Sequence, residues 1–234
     1  MSITPQLPLA LRPAPDFRFD TFVGAGEAVE LLRALTTGAS DFVFLSGPEG
    51  SGKTHLALAT VQTAAAYGIA VQYVPLARLR GNAAAGLAGL ERLGLIVLDD
   101  LHALLGERED DIALFDFHNR ARASGSAVLY TARETPAALP PCLPDLRSRL
   151  GQCTQAMLPR IDDDLRLTIL KCKAQARGWL LDDAAVGFLL RRVGRDMASL
   201  STLLDRLDRA SLAEQRRVTV PFIRAFLEQD AREA

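Results

Sequence analysis

The 234-residue chain carries 27 basic and 28 acidic residues, for a formal net charge of −1, and 49% of its residues are hydrophobic. That length holds one large domain or two small ones around a substantial core, and the even charge balance argues against a protein that coats nucleic acid, since such binders usually carry a basic excess. Three cysteines without a CxxC pair (Cys142, Cys153, Cys172) and three histidines without ligand spacing to them (His55, His102, His118) argue against a disulfide framework or zinc site. They point instead to buried, reduced thiols in a cytoplasmic protein. No apolar run approaches the roughly 18 residues of a membrane helix, and the N-terminus lacks the features of a signal peptide, so no membrane partner is expected.

Residues 1–16 stand apart as a tail. Pro5, Pro8, Pro13 and Pro15 deny it a helix, yet Leu7, Leu9 and Leu11 alternate after Gln6. A base spans residues 17–158. Glu27–Leu35 reads as a helix, and Phe42–Leu45 as a buried strand ending at a glycine-rich loop. Thr54–Tyr67 is an alanine- and leucine-rich helix that Gly68 ends. Val71–Val74 is a strand, 81–89 is ambiguous, and Leu95–Leu98 is a buried strand ending in Asp99-Asp100. Asp110–Ser124 reads as a helix with Ile112, Phe115 and Asn119 on one face, and Ala127–Thr131 as a further strand. This alternation implies a parallel sheet with helices on its faces. From residue 159 to 234 strands are absent. Asp162–Arg177, Asp183–Val193, Met197–Gln215 and a helix after Pro221 form a small helical lid, with Asp162 and Asp182 as N-caps. The fold class is α/β with a C-terminal helical domain.

Gly47-Pro48-Glu49-Gly50-Ser51-Gly52-Lys53-Thr54 has the GxxxxGK[ST] spacing of a P-loop, between a strand and a helix as the mechanism requires. Its glycines let backbone N–H groups surround phosphates, Lys53 places a charge near the β- and γ-phosphates, and the helix N-terminus adds its dipole. Thr54 and Asp99 are candidate ligands for Mg²⁺, which prefers hard oxygen donors. Asp99 is expected at the tip of a neighbouring strand, beside the P-loop. Asp100 is a candidate to orient an attacking water.

Four segments together resemble the AAA+ ATPases of the DnaA group. These are Gly50–Leu56, Leu98-Asp99-Asp100-Leu101, Phe19–Gly24 and Leu146-Arg147-Ser148-Arg149. The resemblance implies that Phe22 and Val23 border the adenine, that His55 belongs to the nucleotide site, that Thr131 stands at the sensor-1 position, and that Arg149 is an arginine finger. Arg147 is the alternative finger, and a surface arginine paired with Asp145 is the bland reading of Arg149. Two departures stand out: Ala198 falls where the group's sensor-2 arginine lies, with Arg195 one turn away, and the sensor-1 segment Tyr130–Arg133 lacks the acid usual two residues after Thr131. Both weaken a reading as a vigorous ATPase.

The stretch Gln6-Leu7-Pro8-Leu9-Ala10-Leu11 is similar to the peptides that dock on the sliding clamp of the replicative polymerase. Joined to a DnaA-like module without a DNA-binding domain, it resembles the Hda-type regulatory inactivators of DnaA. So do Leu114–Arg120, Leu143–Leu146 and Leu207–Ser211. The resemblance implies ADP or ATP and Mg²⁺ as cofactors, and DnaA and the clamp (the polymerase III β subunit) as partners, without sequence-specific DNA binding. The expected role is to dock on DNA-loaded clamp and promote ATP hydrolysis by DnaA, restraining initiation of replication. A homodimer is left open. The rival is a DnaC-type helicase loader or other self-sufficient ATPase, and a plain DNA-binding module fits least.

Overall fold

Apolar residues dominate three strands of a parallel sheet, and each of these strands is buried along its whole length: Phe42–Ser46 (β1), Leu95–Asp99 (β3) and Ala127–Ala132 (β4). Such continuous apolar runs fit strands covered on both faces. Val71–Pro75 (β2) and Thr154–Met157 (β5) are the edges, in the order β2-β3-β4-β1-β5. The computed structural model describes residues 17–140, 143–179, 181, 183–193, 197–214 and 218–233.

Helices cover both faces. Gly26–Leu35 (α1) and Lys53–Ala66 (α2) pack on one, where Leu32, Leu35 and Leu56 meet Val43, Leu45, Val97 and Leu129. On the other, Ala83–Leu87 (α3), Arg108–Ser124 (α4) and Pro144–Gly151 (α5) enclose Phe44, Ile96, Leu98 and Tyr130. Four helices then build a third core: Asp163–Ala176 (α6), Asp183–Val193 (α7), Met197–Glu214 (α8) and Val220–Glu233 (α9). Leu170, Val186, Leu204, Leu207 and Ile223 lie within it. The fold is that of a parallel α/β sheet flanked by helices and followed by a helical lid.

The sequence pattern places four of the five strands, and β5 is the omission. Its Thr-Gln-Ala-Met has no apolar run, because three of its four residues face solvent at the sheet edge. The short helix α5 was likewise not expected, and the ambiguous 81–89 contains α3. On α4 the face of Ile112, Phe115 and Asn119 is not the core face: Ile112 is exposed, while Leu114, Phe117, His118 and Ala121 are buried. Asp162 caps α6 as expected, accepting from Leu165 N–H at 2.8 Å. Asp182 lies outside the described residues. Cys153 is buried, but Cys172 is exposed on α6, so the expectation of buried thiols fails there.

Candidate functional site

The chain leaves β1 at Ser46 and turns through the glycine-rich loop into α2. Gly52 has φ 100°, a conformation that L side chains rarely adopt, and a Cβ there would lie 2.6 Å from the Phe22 ring. Glycine therefore lets Phe22 lie over the loop. The segment ahead of the P-loop is pinned by His55, whose Nε2 hydrogen-bonds the Arg18 carbonyl at 3.0 Å and whose ring contacts Phe17 and Phe22, each at 5.4 Å between centroids. Asp20 pairs with Arg33 of α1 at 2.7 Å.

Lys53 is buried, and its Nζ donates to the carbonyls of Gly47 (2.7 Å) and Pro48 (2.9 Å). Burial pushes its ammonium below the ordinary lysine range, with Asp100 and Asp99 pulling the other way and Arg133 adding to the depression. Ser51 Oγ is buried with no hydrogen-bond partner among the described residues. An orphaned hydroxyl, a lysine held against the loop and a glycine-only turn are what a phosphate cradle needs.

Asp99 ends β3, which is not the neighbour of β1: β4 lies between them, correcting the expectation of an adjacent strand. The carboxylate bridges the gap through hydroxyls. Oδ2 accepts from Thr54 at 3.0 Å and from Tyr73 at 2.7 Å, and Oδ1 accepts from Thr131. Thr131 pairs in register with Leu45 of β1 and also accepts from Asp100 N–H at 3.0 Å. Asp100 itself takes φ 60°, ψ 52°, a left-handed conformation that aspartate tolerates better than most residues. Tyr73 was not anticipated. Its hydroxyl is raised above the ordinary tyrosine range by burial first and by the Asp99 carboxylate next, so it stays a donor to Asp99. Among the described residues no three His, Cys, Asp or Glu side chains gather as a metal cage. Thr54 and Asp99 instead offer the sparse oxygen set that Mg²⁺ uses alongside phosphates.

A cavity of about 580 Å³ opens here. The base lines it with Phe22, Val23, Gly50, Ser51, Gly52, Lys53, Thr54, His55 and Asp100, together with Glu49 and Arg133. Gly47, Asp99 and Thr131 sit behind this lining, and the latter two reach it only through their hydrogen bonds to Thr54 and Asp100. The lid completes the wall with Leu165, Ile169 and Lys173 of α6 and Ser201, Thr202 and Asp205 of α8. A cleft between base and lid was expected, but none of these lid residues was named, although the four-residue spacing of 165, 169 and 173 marks one helix face. Arg195 lies outside the described residues, and Ala198 falls in the first turn of α8.

Arg149 lies elsewhere. It occupies the last turn of α5, just before β5 begins at Thr154. Thr154 is level with Val43 near the start of β1, whereas the P-loop follows Ser46 at the other end of that strand. Arg149 does not line the cavity, and its guanidinium makes no hydrogen bond or ion pair among the described residues, to Asp145 or otherwise. Arg147 is committed, donating to the carbonyls of Leu139 (3.2 Å) and Pro140 (3.1 Å). The tail residues Gln6, Leu7, Leu9 and Leu11 lie outside the described residues.

Comparison with known proteins adds to this geometry. Residues 12–161 match the family of IstB-like ATP binding proteins, and residues 163–227 match the Hda lid domain. An uncharacterized protein of Haemophilus influenzae is 37% identical over 227 residues, covering 95% of this chain and 98% of that protein. Domain III of the replication initiation protein DnaA from Thermotoga maritima superposes with a TM-score of 0.73 at 21% identity, covering 92% of this chain and 97% of that one. AMPPCP-bound DnaA from Aquifex aeolicus gives 0.70 at 20% identity, covering 83% of this chain and 65% of that one. The Thermotoga maritima RuvB Holliday junction branch migration motor gives 0.64 at 22%, covering 93% and 72%. At these identities the structural likeness is one of fold. Among the described residues no helix is long and apolar enough to cross a membrane.

Proposed function

The chain belongs to the IstB-like ATP-binding family and carries the Hda lid domain, and from that premise we propose that it is a nucleotide-bound regulator of replication initiation that promotes ATP hydrolysis by DnaA. In this reading ADP or ATP occupies the cavity between base and lid, with its phosphates on Lys53 and the N-terminus of α2. Thr54 and Asp99 would hold Mg²⁺ there, which would supply charge neutralisation at the phosphates. Thr131 and Tyr73 orient Asp99, and Phe22 and Val23 border the base.

The observation that carries the proposal is the disposition of Arg149. It is kept away from its own cavity and is uncommitted, while Arg147 two residues earlier is tied to backbone carbonyls. A cation so placed serves a neighbouring molecule. Set against the γ-phosphate of ATP on DnaA, a guanidinium stabilises charge on the transferring phosphoryl group, an effect of about 10³–10⁵ in rate where such fingers act in GTPases. The segment Gln6–Leu11 supplies the second contact, docking on the sliding clamp as an extended peptide.

The test is hydrolysis of DnaA-bound ATP with and without this protein and DNA-loaded clamp. Stimulation that needs both is expected. No stimulation, together with brisk turnover by this chain alone, would reject the proposal in favour of a self-sufficient ATPase of the helicase-loader kind.

A further inference from the structure

We infer that Arg133 is a second phosphate-binding cation of the cavity and that Glu49 is its built-in competitor, an inference that rests on the nucleotide reading above. Arg133 directly follows β4. The carbonyl of the preceding Ala132 accepts from Gly47 N–H at 3.2 Å, which ties the end of β4 to the first residue of the P-loop. Arg133 and Glu49 both line the cavity, and Arg133 Nη2 lies 3.2 Å from Glu49 Oε2. The Gly47 carbonyl also accepts from Lys53 Nζ at 2.7 Å, and Glu49 belongs to the same loop, so Arg133 stands beside the P-loop, at the phosphate side of the cavity.

The ion pair is built to exchange. Its side chains are 51% and 78% exposed, and a hydrated pair of this kind contributes little stability. Giving up the carboxylate for a phosphate therefore costs little and gains charge-assisted bonds to a more highly charged, fork-matched partner. The need for a second cation follows from the charges present. Lys53 Nζ is already held by the Gly47 and Pro48 carbonyls, and the Asp99 and Asp100 carboxylates act on the same ammonium through space, so its charge is partly answered before any phosphate arrives. A nucleoside di- or triphosphate adds further negative charge at the same place. Glu49 opposes that charge, and drawing Arg133 off Glu49 is part of binding. Arg133 should accordingly favour polyphosphates over a monophosphate.

The experiment is calorimetric titration of the full chain with AMP, ADP and AMPPCP, using wild type, Arg133→Gln, Glu49→Gln, the double variant and Lys53→Ala, with thermal melting of each to confirm folding. Arg133→Gln is expected to weaken ADP and AMPPCP by about tenfold or more and AMP by less than about threefold. Glu49→Gln should tighten ADP and AMPPCP by about two- to fivefold, because the arginine is released, and that gain should vanish in the double variant. Equal loss for all three ligands, or unchanged binding by Arg133→Gln while Lys53→Ala binds none, would overturn the role of Arg133 and leave the nucleotide reading standing. A wild type that binds none of the three would overturn both.

Discussion

Thr131 has the most demanding position of any side chain near the cavity. It is fully buried, donates to Asp99 and accepts from Asp100 N–H, so it fixes two acids with one hydroxyl. Valine has nearly the same shape and neither function. Thr131→Val would strip one donor from the buried Asp99 carboxylate and the acceptor from an N–H whose residue sits at positive φ. The expected cost is about 1–3 kcal/mol, the penalty of leaving buried polar groups unpaired, read from urea denaturation. Lys53 contrasts with it, because its partners are loop carbonyls near the cavity and its ammonium is already disfavoured by burial. Lys53→Ala should therefore leave the melting midpoint nearly unchanged while ADP binding falls below detection in calorimetry. Equal ADP affinity in mutant and wild type would remove the P-loop reading. Lys53, Thr54 and the two acids are legible in the sequence because the P-loop spacing is a local pattern. Tyr73 and Arg133 are not, since Tyr73 reaches Asp99 from the edge strand β2 and Arg133 comes to the P-loop only because β4 lies beside β1, and the sequence does not encode that strand order.

Among the elements, β4 and α4 share a polar contact buried in an apolar layer. His118 of α4 is fully buried, with Nδ1 3.0 Å from the Tyr130 hydroxyl of β4 and its ring 4.7 Å from that of Phe42. Burial holds its imidazole down to about 4, and the nearby Arg122 and Arg149 guanidiniums add to the effect. The sign follows from linkage. The folded value lies below the unfolded one near 6.5, so between about pH 6.5 and about pH 4 the unfolded chain binds more protons. Stability from the neutral imidazole is full above about 6.5 and falls as pH drops through that window. His118→Gln keeps a polar side chain without titrating, so the mutant should lose less melting temperature than wild type between pH 7 and pH 4.5. Parallel curves for the two proteins would assign the acid sensitivity elsewhere. The same scale shows where element prediction works. The strands β1, β3 and β4 announce themselves because burial on both faces demands unbroken apolar runs, whereas β5 at the edge needs no such run and gives no signal. On α4 buried charges blur the pattern: Asp110 turns inward to accept from Gly81 and Ala83 N–H groups, and Asp111 accepts from Gly106 and Leu143.

In the whole molecule the proposed functions occupy separate places, so they should be lost separately. The nucleotide cavity lies at the carboxyl ends of the strands, closed by α6 and α8. Arg149 lies near the opposite end of the sheet, where α5 feeds into β5 level with Val43. The tail precedes both, and its alternating leucines would face one way in an extended segment and enter adjacent pockets on a clamp. Each leucine, if fully buried, contributes about 1.5–3 kcal/mol before ordering costs, so losing two or three of them removes most of a peptide's affinity. Deleting residues 1–11 should abolish retention by immobilised clamp while leaving melting temperature and ADP affinity nearly unchanged. Arg149→Ala should do the reverse. It keeps the fold, ADP binding and clamp binding, because the guanidinium makes no bond among the described residues, but loses stimulation of DnaA-bound ATP hydrolysis. Clamp retention that survives the deletion would refute docking by the tail, and a large fall in melting temperature would mean that the leucines pack on this protein instead. Full stimulation by Arg149→Ala would move the finger elsewhere. Arg147 is then the next residue to change, although its bonds to Leu139 and Pro140 predict that Arg147→Ala also lowers the melting temperature.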